Sequence, residues 1–236
     1  MFSGLVREIA TIKSFANNTL EVISPYQAKI GDSIAINGVC LTATKCAHGV
    51  ISMELSRHTQ EYIAMENLAP NARVHFEPAL RMGDSLDGHI VQGHVDGIGV
   101  IEEIRHHREQ SDFWVSCDEA LARYMIPKGS VCVDGISLTI TQSCSTGFGL
   151  TIIPHTLAHT LFGHYKPKRR VNLESDVIVR SVINALGAIA KGGGLGALLD
   201  SGLDSGLGGG GKGSSGGKGS SKAARWAEID AQQMSY

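Results

Sequence analysis

Two small, closed antiparallel barrels followed by one helix, an all-β fold, are predicted by three observations. The chain repeats itself at a fixed offset, the repeated stretches carry strand patterning, and the pattern turns helical only after the second copy. Short strands punctuated by Gly and Pro bury one face each, and closing such a sheet on itself removes its exposed edges.

The repeat is the strongest of the three. "INGVCLTAT" from Ile36 returns as "VDGISLTIT" from Val133, an offset of 97. At that offset Ser33 matches Ser130, Gly38 matches Gly135, and Leu41-Thr42 matches Leu138-Thr139. His58-Thr59, Arg73-Val74 and Glu77 fall on His155-Thr156, Arg170-Val171 and Glu174 without a gap. At a slightly smaller offset the opening "MFSGLVREI" lies over "HVDGIGVIEEI" from His94. Two copies of one module, 1–88 and 89–175, follow from this self-similarity.

In the first copy "LEVIS", "SIAINGVCLTAT", "VISMEL" and "RVHFEP" read as strands, being β-branched and near-alternating. Asn37-Gly38 interrupts the second of these as a tight turn or bulge. A short helical piece, "HTQEYIAMENL", precedes the last strand. The second copy repeats the plan with "DFWVS", "SVCVDGISLTIT", "FGLTII" and "RVNLES", turned by Asp134-Gly135, with "TLAHTLFG" in the helical place. Beyond it, Ser175 or Asp176 caps a helix over 176–191 on which Ile178, Val182, Leu186 and Ile189 recur at helical spacing, widened by Val179 and Ile183. That stripe is too broad for a lone surface helix and predicts helix-to-helix contact between subunits. The remainder, 192–236, is a Gly/Ser/Lys linker and a tail around Trp226.

Composition narrows the function. Net charge is −2 with both signs interspersed, which excludes the basic footprint of a nucleic-acid binder. No apolar run spans a bilayer and the N-terminus lacks a signal-peptide pattern, so a cytoplasmic protein away from membranes is expected. Five cysteines without a C-x-x-C fit a reducing compartment and no structural zinc. "GLGGGGKG" from Gly206 imitates a phosphate loop but places Gly213 where a Ser or Thr must hold magnesium. His155 and His159 have helical metal-ligand spacing, yet no carboxylate or cysteine completes a set, so no metal is expected.

Five phrases in order carry a family resemblance: "MFSGLV" at Met1, "NGVCLT" at Asn37, "GHIVQGHVDG" at Gly88, "KGSVCVDGISLT" at Lys128 and "IIPHTL" at Ile152. Together they resemble riboflavin synthase, and the resemblance runs from Met1 to about residue 190. It implies two six-stranded Greek-key barrels, a C-terminal helix through which three chains associate, no cofactor, and possible association with lumazine synthase. The implied reaction dismutates two molecules of 6,7-dimethyl-8-ribityllumazine to riboflavin and 5-amino-6-(ribitylamino)pyrimidinedione. Two like substrates call for two like pockets, and the pair would meet face to face across neighbouring subunits.

By the same resemblance, ligand contacts in the first half fall on Gly4, Leu5, Val6, Cys40, Leu41, Thr42, Glu54, Leu55, Ser56, Arg57, His58 and Thr59. In the second half they fall on Gly93, His94, Val95, Lys128, Ser137, Leu138, Thr139, Ile152, Ile153, Pro154, His155, Thr156 and Leu157. Glycines let a flat ring approach the backbone, and amides and hydroxyls match a pyrimidinedione edge. His94 is the first candidate for proton transfer, with Ser137, Thr139 and Cys40 assisting, Phe2 packing near the ring and Asp176 holding the site together. His58 and His155 stand where many family members carry an acidic residue before Thr. The alternative is a lumazine- or flavin-binding antenna protein that holds its ligand without turnover.

Overall fold

The computed structural model describes residues 1–190, so the linker, the phosphate-loop mimic and the Trp226 segment lie outside the described residues. The first six strands are β1 (Glu8–Ala16), β2 (Thr19–Ile23), β3 (Ser33–Ile36), β4 (Val39–Ala47), β5 (Val50–Glu54) and β6 (Arg73–Pro78). They close into an antiparallel barrel in the order β1-β2-β5-β4-β3-β6, a Greek-key path in which β2 returns beside β5. The next six are β7 (Gly97–His106), β8 (Ser111–Ser116), β9 (Ser130–Val133), β10 (Ile136–Cys144), β11 (Gly147–Ile152) and β12 (Arg170–Ser175). They close in the equivalent order. The expected all-β architecture of two six-stranded barrels is therefore the one observed.

Alternation fills each barrel. Ile12, Leu20, Val22, Ile51, Met53, Val74 and Phe76 pack inside the first. Ile101, Phe113, Val115, Ile140, Phe148, Leu150 and Val171 pack inside the second. Each barrel bends at two bulges, between Ile12 and Ser14 and between Ala43 and Lys45 in the first, and between Ile101 and Glu103 and between Ile140 and Gln142 in the second. Bulges sharpen the twist that closure requires. The later pair matches at an offset of 97, but the earlier pair matches at 89. The opening "MFSGLV" consequently corresponds to "IVQGHV" from Ile90, not to the stretch from His94 onward.

The two tight turns that the sequence writes twice are packed against each other. Asn37 and Asp134 adopt φ of 44° and 46°, and the glycines after them also have positive φ. A Cβ on Gly38 would stand 2.7 Å from Gly135 N, and one on Gly135 would stand 2.8 Å from Gly38 N. Glycine is thus required by both backbone conformation and contact. Around this axis His75 and Asn172, equivalent in the repeat, do equivalent work. Leu161 N donates to His75 Nε2 at 2.8 Å, so the ring proton sits on Nδ1 and donates to Asp134 O at 2.8 Å. Asn172 accepts from Ala64 N at 2.8 Å and donates to Asn37 O at 2.9 Å. A neutral imidazole reproduces a carboxamide's donor and acceptor pair.

Burial drives His75 down to about 4, and it drives Asp134, also bonded to Tyr165 Oη and Asn172 N, up to about 6. The depressed histidine stabilises above its unfolded value of 6.5 and loses that contribution as pH falls through 4. The raised aspartate does the reverse, stabilising most at low pH and losing the contribution as pH rises through 6. Between these values native and unfolded chains bind the same number of protons at this pair, and the contributions offset. Asp134→Asn is therefore expected to uncover an acid sensitivity of about 3 kcal/mol between pH 6.5 and 4. Urea unfolding at both pH values would show it, and His75→Asn should abolish it.

The helix α4 (Val177–Ala190) forms a separate unit. Its Ile178, Val182, Leu186 and Ile189 are exposed. No helix among the described residues is long and apolar enough to cross a membrane.

Candidate functional site

Two buried carboxylates aim the site. Glu77 on β6 accepts from Ser3 N at 2.8 Å, Ser3 Oγ at 2.9 Å and Gly4 N at 3.2 Å. Its counterpart Glu174 on β12 accepts from Gln92 N at 2.7 Å and Gly93 N at 2.9 Å. Each holds a segment that then crosses to the opposite barrel. Gly4 O accepts from Ser137 N at 2.8 Å, and Gly93 O accepts from Cys40 N at 2.9 Å. Both glycines have positive φ, and a Cβ would lie 2.7 Å from Ser137 Cβ or 2.5 Å from Cys40 Cβ.

The crossing exchanges the expected groupings. Gly93, His94 and Val95 lie with Cys40 on the first barrel, while Gly4 lies with Ser137 on the second. The half-by-half grouping of the sequence reading fails because each entry segment's glycine carbonyl accepts across the barrel interface, a partnership that local pattern does not record. A cavity of about 530 Å³ results, lined by Val39, Cys40, His58, Thr59, Tyr62, Ile63, Gly93, His94, Val95 and Asp96. Val39, Tyr62, Ile63 and Asp96 were not anticipated. Asp96 is fixed by accepting from Ser175 N at 2.7 Å and Ser175 Oγ at 2.6 Å.

His58 and Thr59 reach the cavity from α1 (Arg57–Tyr62). Ser56 caps that helix, its Oγ accepting from Thr59 N at 3.0 Å, and the buried Leu55 and Ile63 pin its two ends to the barrel core. The equivalent α3 (Pro154–His159) starts on Pro154 and is pinned by Ile152 and Leu161. Its His155 and His159 rings stack at 4.1 Å, and His159 Nδ1 is bonded to His155 O. Leu41, Leu55 and Ile152 are core residues, so they shape the site from behind. Glu54, Arg57, Thr42, Thr139 and Ile153 are exposed. Lys128 is exposed too, and it holds a φ of 65° where the first barrel uses Gly31. Phe2 is fully buried with Ala35, Val91 and Cys132, supporting Cys40 from the interior.

Beside Ser137 stands His89, which is not among the candidate residues named from the sequence. His89 Nδ1 is 2.7 Å from Ser137 Oγ, and its Nε2 is buried with no hydrogen-bond partner among the described residues. Burial lowers the His89 pKa, against the opposing charge of Asp176, which favours a neutral ring able to take a proton. Burial pushes the Cys40 thiol up, which keeps it protonated. The two barrels thus present unlike chemistry: thiol, imidazole and carboxylate on the first, a serine–imidazole pair on the second.

Comparison with known proteins agrees with this geometry. The family profile described as Lumazine binding domain matches residues 3–79 and again 92–176, with the same 89-residue offset at the start of each match. The riboflavin synthase of Photobacterium leiognathi is 36% identical over 188 residues, covering 76% of this chain and 86% of that protein. Those of Actinobacillus pleuropneumoniae and Bacillus subtilis (strain 168) are 35% and 31% identical, each over 75% of this chain and 86% of their own length. Among solved structures, LumP complexed with riboflavin superposes with a TM-score of 0.68 at 17% identity, over 74% of this chain and 99% of that one. LumP complexed with 6,7-dimethyl-8-(1'-D-ribityl) lumazine gives 0.65 at 17% identity, with the same coverage, and both likenesses concern the fold.

Proposed function

Because the chain belongs to the lumazine-binding family alongside the riboflavin synthases, we infer that it is a riboflavin synthase. It converts two molecules of 6,7-dimethyl-8-ribityllumazine into riboflavin and 5-amino-6-(ribitylamino)pyrimidinedione. The observation that carries this reading is the pairing of repeated scaffolds with unlike functional groups. One substrate must donate a four-carbon unit and its identical partner must accept it. Two equivalent scaffolds provide the like binding, and the difference between Cys40, His94 and Asp96 on one side and Ser137 and His89 on the other provides the asymmetry.

Holding both heterocycles replaces a bimolecular encounter with a positioned one, which is worth several kcal/mol. The C7 methyl of the lumazine is acidic because its carbanion spreads into the ring, so a neutral histidine is a sufficient base. His89 takes a proton through Ser137, and His94 serves the first cavity. Thr59 and His58 on α1, and Thr156 and His155 on α3, offer donors to the ribityl chains. Two lumazine-binding units, 1–88 and 89–175, each borrow a segment of lining from the other. The helix α4 joins three chains through its exposed apolar face. Cytoplasmic residence and association with lumazine synthase complete the reading.

The test is incubation of the pure protein with the lumazine as sole organic substrate and a chelator present. Riboflavin should accumulate. Tight fluorescent binding without riboflavin would identify a carrier instead.

A further inference from the structure

The repeat contains its own control for a cavity that the lumazine chemistry does not use. On β12, Arg170 Nη1 donates to Glu66 Oε2 at 3.2 Å, and Asn67 Nδ2 donates to Arg170 O at 2.9 Å. At the offset of 97 Arg170 corresponds to Arg73, Glu66 to Gly163, Asn67 to His164 and Ala72 to Arg169. The second arrangement has therefore lost the carboxylate and gained a guanidinium. Gly163 has no room to restore it, because a Cβ there would meet Leu157 O at 2.6 Å.

What remains is a cavity of about 320 Å³ lined by Arg73, Leu161, His164, Tyr165 and Arg169, with no carboxylate in its lining. Arg169 lies over the Tyr165 ring at 4.2 Å, and its Nε is buried with no hydrogen-bond partner among the described residues. The carboxylate it faces is Asp134, 3.7 Å away and fully buried, which already accepts from Tyr165 Oη at 2.6 Å and Asn172 N at 2.8 Å. Exposed Lys166 and Lys168 add to the positive field. Where Glu66 balances one arginine, two arginines and an imidazole here line a cavity whose nearest recorded carboxylate, Asp134, faces Arg169 from behind and is already bonded.

We propose that this cavity is a binding site for a doubly charged tetrahedral oxyanion, free phosphate or the phosphate end of a small metabolite, held by Arg73, Arg169 and His164. Guanidinium forks match phosphate oxygens in pairs, and a dianion balances the two arginines as a single carboxylate does not. The lumazine, whose ribityl chain carries no phosphate, is not its ligand. Because Arg169 also faces Asp134 at the barrel interface, occupancy stabilises the joined barrels by mass action.

Calorimetric titration of the full-length protein with inorganic phosphate, and separately with glycerol 1-phosphate, tests this at constant ionic strength in chloride. One saturable site per chain and a rise in thermal midpoint are expected. A tighter monoester would mark a metabolite site, equal affinities a site for the anion alone, and both uphold the proposal. Arg73→Gln should weaken binding about tenfold or more, while Arg170→Gln, whose arginine is already paired with Glu66, should leave it unchanged. Should Arg73→Gln fail to fold, His164→Gln carries the same criterion. No saturable binding of either probe at about 10 mM, or affinity unmoved by both variants, overturns the site.

Discussion

Alanine at Ser137 is expected to lower turnover by about 10²- to 10⁴-fold, the range for loss of a positioned proton-transfer group. The hydroxyl is 2.7 Å from His89 Nδ1, and the backbone bond from Ser137 N to Gly4 O survives the change, so the pocket should keep its shape and KM should move little. His89→Gln should cost a similar factor, and the double variant little more, because the two act as one unit. The acid limb of the wild-type rate should lie below the ordinary histidine value of 6.5, since burial favours the neutral ring and activity falls only once that ring is protonated. Cys40→Ser should cost far less, as burial already keeps the thiol protonated. Rate profiles from pH 5 to 9 would check all four. A Ser137→Ala enzyme within about threefold of wild type would remove the pair from the chemistry.

Gly93→Ala should damage stability and lumazine binding together. Its Cβ would stand 2.5 Å from Cys40 Cβ and 2.8 Å from Cys40 N, and φ is +79°. The left-handed backbone alone costs about 1–2 kcal/mol, and relieving the clash must displace either β4 or the segment that lines the first cavity. A total loss near 3 kcal/mol is expected, with lumazine affinity falling alongside. Gly31→Ala is the control. It also has a positive φ, +94°, but its Cβ would meet nothing within 4 Å, so it should cost only about 1 kcal/mol and spare binding. Urea unfolding and fluorescence titration on the two variants separate contact from conformation.

The barrels were legible because their information is local. Alternation in "VCLTAT" and "ISLTIT", the Asn-Gly and Asp-Gly turns, and a repeat at one offset state strand, turn and symmetry in adjacent residues. The entry segments were not legible in this way. The first copy is eight residues shorter between its entry segment and β3, a difference taken up in the β7–β8 hairpin and around α2 (Glu119–Ala122), so the offset drifts from 89 to 97 and the opening slides onto the wrong partner. Glu77 and Glu174 were matched by the repeat, but that each grips a glycine segment bound for the other barrel depends on contacts 73 and 81 residues apart in sequence. His89 fell outside the candidate set for the same reason: its partner Ser137 is 48 residues away, and the first copy offers no counterpart to reveal it. Leu41 and Ile152 were taken as contacts although each sits on the inward phase of its strand, where alternation already places core, and Leu55, one residue past β5, is core as well.

The central claim, that two unlike pockets on one repeated scaffold hold two identical substrates for a transfer between them, is tested most directly by titrating the full chain with the lumazine while riboflavin is measured in the same vessel. Two binding events per chain are predicted, with riboflavin appearing as the weaker one fills and two lumazines consumed for each riboflavin formed. Saturation at one lumazine per chain with no riboflavin would contradict the account.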